Sequence, residues 1–139
     1  YSGFFSILLL DIDNFKAIND EFGHIMGDEI LKEFAWLGKD RVRSTDIFGR
    51  WGGEEFLVLC PETPLPGAVE LAEKLRRTWQ DHIFSTQRQH TASISVAVYT
   101  PGETMDALLR KADLSLYHAK AHGKNQVSAS GATAADLGA

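Results

Sequence analysis

Asp11, Asp13, Glu54 and Glu55 are the residues whose types and spacing invite chemistry. Glu54-Glu55 follow Gly52-Gly53 between the strand-like runs Ile47 to Trp51 and Phe56 to Leu59, and Asp11-Ile12-Asp13 continue the apolar run Phe4 to Leu10. Gly-Gly between two such runs marks a tight turn, because glycine takes positive φ without steric cost and lets a backbone approach a ligand closely. Two carboxylates beside the turn concentrate charge that a structural hairpin does not need, although a solvated acidic turn is the plain alternative. Carboxylates that end a buried strand project where the sheet opens, a common place for ligands in open α/β sheets. Asp13 or Asn14 has a second reading as a helix N-cap. Asp11 is harder to explain away, because a charge that continues a buried strand needs a partner.

These groups must be placed by a framework, and the composition allows one. The 139 residues fit a single domain, and 44% hydrophobic with 24% charged residues is enough to bury an ordinary core. A net charge of -5 and a pI near 5.5 argue against general binding to a nucleic-acid polymer, while leaving room for a local phosphate site. The single Cys60 follows an apolar strand and reads as a buried small hydrophobe in a reducing compartment. Phe4 to Leu10 is too short to cross a bilayer and lacks the basic flank of a signal peptide, so the expected location is the cytoplasm. A start at Tyr1, followed almost at once by a strand, reads as an excised domain with an N-terminal neighbour missing.

The periodicities supply the elements. Phe4 to Leu10 reads as a strand covered on both faces. Phe15, Ile18 and Phe22 share a face of a short helix that Gly23 ends, and Gly27-Asp28 introduce a second helix carrying Leu31, Phe34, Ala35 and Val42. There Asp28 has a plain reading as a cap or a partner of the helix dipole, His24 as a loop histidine, and Arg43 as a basic residue favoured by a helix C-terminus. Pro61 to Pro66 is a loop, and Ala68, Leu71, Ala72, Leu75 and Trp79 line a third helix. Thr91 to Tyr99 alternates as a strand, Met105 to His122 is helical with Gly123 as its stop, and Asn125 to Ser128 is a last short strand. His118 and His122 have a spacing that can bind zinc, but no third ligand stands out.

Taken in order, Asp11-Ile12-Asp13-Asn14-Phe15-Lys16, Asn19-Asp20, Gly23-His24, Gly27-Asp28, Arg43-Ser44-Thr45-Asp46 and Gly52-Gly53-Glu54-Glu55-Phe56 resemble the GGDEF family of diguanylate cyclases. Tyr117-His118-Ala119-Lys120 with Gly123-Lys124-Asn125 is similar to its C-terminal signature, so the resemblance spans Phe4 to Val127. It implies an α/β (α+β) catalytic domain over residues 1–128, a central mostly antiparallel five-stranded sheet wrapped by helices as in nucleotide cyclases and the polymerase palm, and a disordered tail over 129–139.

The activity implied is condensation of two GTP into cyclic di-GMP and two pyrophosphates across a homodimer, in a protein with a sensory or dimerising domain elsewhere. A triphosphate cannot approach this many carboxylates unless divalent cations offset the repulsion, and magnesium prefers oxygen ligands from one or two carboxylates plus phosphates. The resemblance implies two Mg2+ per site, with Mn2+ as the alternative, held by Asp11, the Ile12 carbonyl and Glu54, with Glu54 and Glu55 catalytic. It places Asn19 and Asp28 on the guanine edge, Phe15, His24, Gly52 and Gly53 near the nucleotide, and Lys16, Lys120 and Lys124 near the phosphates. Arg43 and Asp46 match its product-inhibition motif, for which an arginine contact to guanine O6 and N7 gives a physical basis. The sequence departs from the family at Ser95 (usually glycine), Trp51 (commonly tyrosine) and Lys124 (often arginine). A non-catalytic receptor for GTP or cyclic di-GMP, or another nucleotidyltransferase on the same scaffold, are the competing classes.

Overall fold

The computed structural model describes residues 4–130. In chain order the elements are β1 (Phe5–Ile12), α1 (Phe15–Phe22), α2 (His24–Arg41), β2 (Ile47–Gly52), β3 (Glu55–Pro61), α3 (Leu65–Asp81), β4 (Ala92–Val98), α4 (Met105–Ala121) and β5 (Val127–Ala129). The strands form one sheet in the order β2-β3-β1-β4-β5, with every pairing antiparallel except β4 with β5. The mostly antiparallel five-stranded α/β architecture expected from the sequence is therefore present.

β1 is central because both of its faces are apolar, so it has to be covered on both. Leu8, Leu10 and Ile12 point into a core with Ile30 and Phe34 of α2, Ala72, Leu75 and Trp79 of α3, and Val58 and Val96 of the neighbouring strands. Ile7 and Leu9 point the other way, onto Leu108, Ala112 and Leu116 of α4. Each such leucine or isoleucine contributes about 1.5–3 kcal/mol relative to an exposed position. That apolar anchoring offsets the cost of the charge at the strand's end. Trp79, fully buried, satisfies its indole by donating to the Phe34 carbonyl at 3.2 Å. Cys60 is buried as expected, and burial pushes its thiol up to about 12.

Several boundaries differ from the sequence reading for identifiable reasons. β1 runs on through Asp11 and Ile12, because those residues pair with Glu55 on one side and with Ser93 and Ala92 on the other. Helix α2 starts at His24 rather than at Gly27-Asp28, so Asp28 lies in its second turn and is no cap, and His24 is its first residue rather than a loop residue. Val42 falls outside that helix as its extended C-cap. Pro66 belongs to the first turn of α3, where its missing N–H costs nothing. Ala129 and Ser130 depart from the disordered tail expected from residue 129. Ala129 is part of β5, and the Ser130 amide donates to the Val96 carbonyl at 3.0 Å. The remainder of that expectation, residues 131–139, lies outside the described residues. No described helix is long and apolar enough to cross a membrane.

Candidate active site

The register of the sheet brings the two acidic segments together. Asp11 sits opposite Glu55 across β1 and β3, and the Ile12 amide donates to the Glu54 carbonyl at 3.2 Å, so the end of β1 is stitched to the turn. Gly53 takes φ +51 there, a value that favours glycine, and the pairing is irregular between Arg50 and Gly52. Arg50 Nε donates to the Gly53 carbonyl at 2.9 Å and fixes the turn from below. Nothing in the sequence singles out Arg50 for this task beyond its nearness to the glycines.

Asp11 and Asp13, two residues apart, have different surroundings. Asp13 is not a helix cap. Its carboxylate accepts from Thr91 Oγ1 at 2.7 Å, Ser93 Oγ at 2.6 Å and the Asn125 amide at 3.0 Å, which clasps β1 to the start of β4 and to the loop after α4. The N-cap position of α1 is Asn14, in left-handed geometry and without a side-chain cap; its Oδ1 instead accepts from Lys124 Nζ at 2.6 Å. Asp11 has one partner, Lys120 Nζ at 2.5 Å from Oδ2, while its Oδ1 is buried with no partner. Desolvation pushes the Asp11 carboxyl above its ordinary value against the opposing pull of Lys120, and Glu54 and Asp13 push the same way as burial. Burial, then Asp11, raises Glu55 likewise.

An orphaned, buried carboxylate oxygen beside Glu54 and Glu55 fits a hard divalent cation, which takes oxygen donors. Among the described residues no three His, Cys, Asp or Glu side chains converge as a complete cage. That donor set suits magnesium, which is usually held by one or two carboxylates with phosphate and water completing its shell. His118, on the exposed face of α4, and His122, its C-cap, stack ring on ring at 3.9 Å.

The remaining expected residues are carried by α1, α2, β2 and β4. Asn19 on α1 lies against Gly27 on α2 so closely that a Cβ there would meet its Oδ1 at 1.8 Å; this is why α2 carries a glycine inside its first turns. Phe15 sits half-buried beside the same crossing, while Lys16 and His24 are exposed. Asp28 lines a cleft of about 360 Å3 with Leu31, Ala35, Phe48 and Phe56 as apolar floor and Lys32, Lys39 and Arg50 as basic rim; Asn19 does not line it. Ser95 is fully buried, with Oγ 3.4 Å from the Leu9 carbonyl. Trp51 is half-exposed at the hairpin.

Arg43 and Asp46 lie elsewhere, at the loop between α2 and β2. The Asp46 side chain is fully buried and accepts from Arg43 Nη2 at 2.8 Å, Arg43 Nε at 3.1 Å and the Arg43 amide at 2.9 Å, a bidentate pair that Thr63 Oγ1 extends. The hydrogen bond to Asp46 pushes the guanidinium pKa up. Arg43 lines a second cleft of about 280 Å3 with Arg41, Gly67, Glu70, Leu71 and Lys74.

Comparison with known proteins agrees with this arrangement. Residues 2–126 match the family model described as diguanylate cyclase, GGDEF domain. The chain is 45% identical over 128 residues to the response regulator PleD of Caulobacter vibrioides, covering 88% of this chain and 28% of PleD. It is 43% identical over 125 residues to diguanylate cyclase DgcM of Escherichia coli, covering 90% of this chain and 30% of DgcM. It thus spans less than a third of the length of these curated relatives. Among solved structures, the active GGEEF domain of a diguanylate cyclase from Vibrio cholerae is similar with a TM-score of 0.87 at 33% identity, covering 94% of this chain and 85% of that one. The GGDEF domain of DgcB from Caulobacter crescentus, in complex with c-di-GMP, gives 0.88 at 27% identity, covering 93% and 79%. The ordered motifs, the sheet that joins Asp11 to the Gly52-Gly53 turn and these matches lead to one conclusion: the chain belongs to the GGDEF family, the diguanylate cyclase domain.

Proposed function

We propose that this domain condenses two GTP into cyclic di-GMP with release of two pyrophosphates. The observation that carries the reading is the buried, unpartnered Oδ1 of Asp11, a residue that pairs in the sheet with Glu55 beside the glycine turn and Glu54. Asp11, the Ile12 carbonyl and Glu54 are the groups that would hold Mg2+, two ions per site, with Mn2+ as the alternative. Bound there, the cations lower the pKa of the attacking 3′-hydroxyl and neutralise charge around the α-phosphate and leaving pyrophosphate.

The chain's own groups do the rest. Asn19 and Asp28 read the guanine edge as an amide and a carboxylate, and Phe15 and His24 border the nucleotide. Gly52 and Gly53 let the turn's backbone approach it without a side chain in the way. Lys16, Lys120 and Lys124 offset phosphate charge, and Lys124 does so as a point charge, without the bidentate fork of an arginine. Glu54 serves as cation ligand and as acceptor of the proton from the 3′-hydroxyl, with Glu55 close by in the catalytic pair. Each domain holds one GTP, so the active form is a two-fold homodimer in which each nucleotide attacks the other. The location proposed is the cytoplasm, within a longer sensor protein whose other domains bring two copies together.

Arg43 and Asp46 form the proposed product-inhibition site, where the guanidinium, held in place by the buried Asp46 carboxylate, meets guanine O6 and N7 of cyclic di-GMP. Arg43→Ala is expected to relieve product inhibition while sparing turnover, with some loss of thermal stability because Asp46 loses its charged partner; unchanged inhibition removes the regulatory assignment. The primary test is chromatographic product analysis after incubating the protein, fused to a dimerising module, with GTP and magnesium. Binding of GTP without any dinucleotide under forced dimerisation rejects the enzyme reading in favour of a receptor.

A further inference from the structure

We infer that Lys120 is a charge placeholder in the cation site, holding Asp11 until a divalent cation arrives together with a triphosphate. The inference rests on the proposed cation reading and goes beyond it by assigning an order to the binding events.

Lys120 projects from the last turn of α4 and places its ammonium 2.5 Å from Asp11 Oδ2. The Asp11 side chain is 9% exposed and that of Lys120 is 35% exposed, so the carboxylate is committed to the interior while the lysine keeps a route to solvent. Asp11 faces Glu55 in the register, with Glu54 next along the chain. A buried carboxylate in that company and without a cation is costly, and the ammonium removes much of the cost. The other oxygen, Oδ1, has no protein donor, so the local charge is only half answered.

A bare divalent cation entering this site has to displace the ammonium or sit beside it, and both oppose binding. A cation that enters with a triphosphate brings its own negative charge, which gives the displaced ammonium a new partner on the same side of the site. Lys120 has the means to move, since its stem is flexible and four methylenes long. The consequence is suppressed cation affinity in the absence of nucleotide and positive coupling between cation and nucleotide, which is reciprocal by linkage.

Binding of Mn2+ to the domain, followed by the electron-spin resonance of the free ion, tests this without any turnover. The comparison uses wild type, Lys120→Gln, Lys120→Arg and Asp11→Asn, each with and without a GTP analogue carrying a methylene between the α and β phosphorus atoms. Loss of the neighbouring positive charge in Lys120→Gln is expected to tighten nucleotide-free Mn2+ binding by about tenfold or more, the usual effect of a single charge within a few ångström. Lys120→Arg should keep the suppression, and adding Asp11→Asn to Lys120→Gln should abolish the gain. Folded Lys120→Gln that binds Mn2+ no more tightly than wild type, while Asp11→Asn still removes Mn2+ from the nucleotide complex, overturns the placeholder role alone. Asp11→Asn that leaves Mn2+ in the nucleotide complex overturns the cation reading beneath it. Should Lys120→Gln not fold, the wild-type comparison decides, and equal Mn2+ affinity with and without the analogue overturns the proposal.

Discussion

Gly27→Ala separates recognition of the base from the stability of the fold. The new Cβ would lie 1.8 Å from Asn19 Oδ1, 3.0 Å from Asn19 Cγ and 3.4 Å from Phe15 Cζ. Ordinary carbon-to-oxygen contacts are about 3.3–3.6 Å, so the carboxamide must retreat by roughly 1.5 Å or rotate away. The obstacle is the end of a flexible side chain rather than backbone, and the helix gains about 0.8–1 kcal/mol when alanine replaces an interior glycine. Stability should therefore change little, within about 1 kcal/mol either way. Recognition should suffer, because a guanine group left without its partner costs about 1–3 kcal/mol. At 1.4 kcal/mol per factor of ten, that is a rise in the KM for GTP of roughly 5- to 100-fold. Initial rates of pyrophosphate release give KM and kcat, and urea unfolding gives stability. Asn19→Ala should reproduce the rise, and the double variant should be no worse than either single one, because both act through the same carboxamide. A well-folded Gly27→Ala protein with wild-type KM would refute the placing of Asn19 on the base, and a fall of more than about 3 kcal/mol would show that the helix crossing yields instead of the side chain.

Three further outcomes follow from the geometry. Glu54→Gln should lower kcat by about a hundredfold to thousandfold, the usual cost of removing a well-placed electrostatic stabiliser, with an unchanged unfolding curve; kcat within a few-fold of wild type removes Glu54 from the catalytic set. Asp13→Ala should destabilise by about 2 kcal/mol or more, because it strands the buried hydroxyl of Ser93, the Thr91 hydroxyl and the Asn125 amide, and a thermal midpoint equal to wild type would contradict the clasp. His90 is held below the ordinary histidine pKa, by burial first and by Arg88 second, with its Nε2 2.6 Å from Thr86 Oγ1. The unfolded chain then binds this proton more readily than the folded one, so the contribution is complete above the unfolded pKa of about 6.5 and is lost as pH falls through that value towards the lower folded pKa. Urea unfolding at pH 8 and at pH 5.5 should show the loss, and His90→Gln should show less of it.

Much of the framework was legible because its signals are local. The doubly apolar run of β1, the alternation of β4 and the helical spacing of Leu75 and Trp79 each depend on a few neighbouring residues, although β4 is buried on both faces, Ser93 and Ser95 included, which its alternation does not announce. The acidic strand end and the acidic turn were legible as charge out of place, but their meeting depends on the register of β1 with β3, which no single stretch encodes. The failures are tertiary. Gly27 reads as a helix start because glycine usually punctuates, whereas here it serves the approach of Asn19 from another helix. The last strand ends past Ser128 because Ala129 pairs with Val96, a parallel partner more than thirty positions earlier. Arg50 and the basic rim of the cleft above Phe48 and Phe56 carry no local signal, since exposed cations are ordinary on any surface.

Asp11 and Asp13 show how a structural carboxylate is told from one that awaits a ligand when both end the same buried strand. Both are nearly inaccessible, so burial alone does not separate them. Partners do. Both Asp13 oxygens are taken by neutral donors from two other segments. Asp11 has a single ammonium on one oxygen and nothing on the other, an arrangement that a fold selected for stability alone would have replaced by an apolar residue or completed with a donor. The clasp at Asp13 also serves the opening at Asp11. By tying Asn125 to the end of β1 it holds the segment after α4 in place, with Lys124 on Asn14, next to the Lys120 that α4 itself brings to Asp11. The satisfied carboxylate thus positions one of the two cations that a nucleotide's phosphates would meet there.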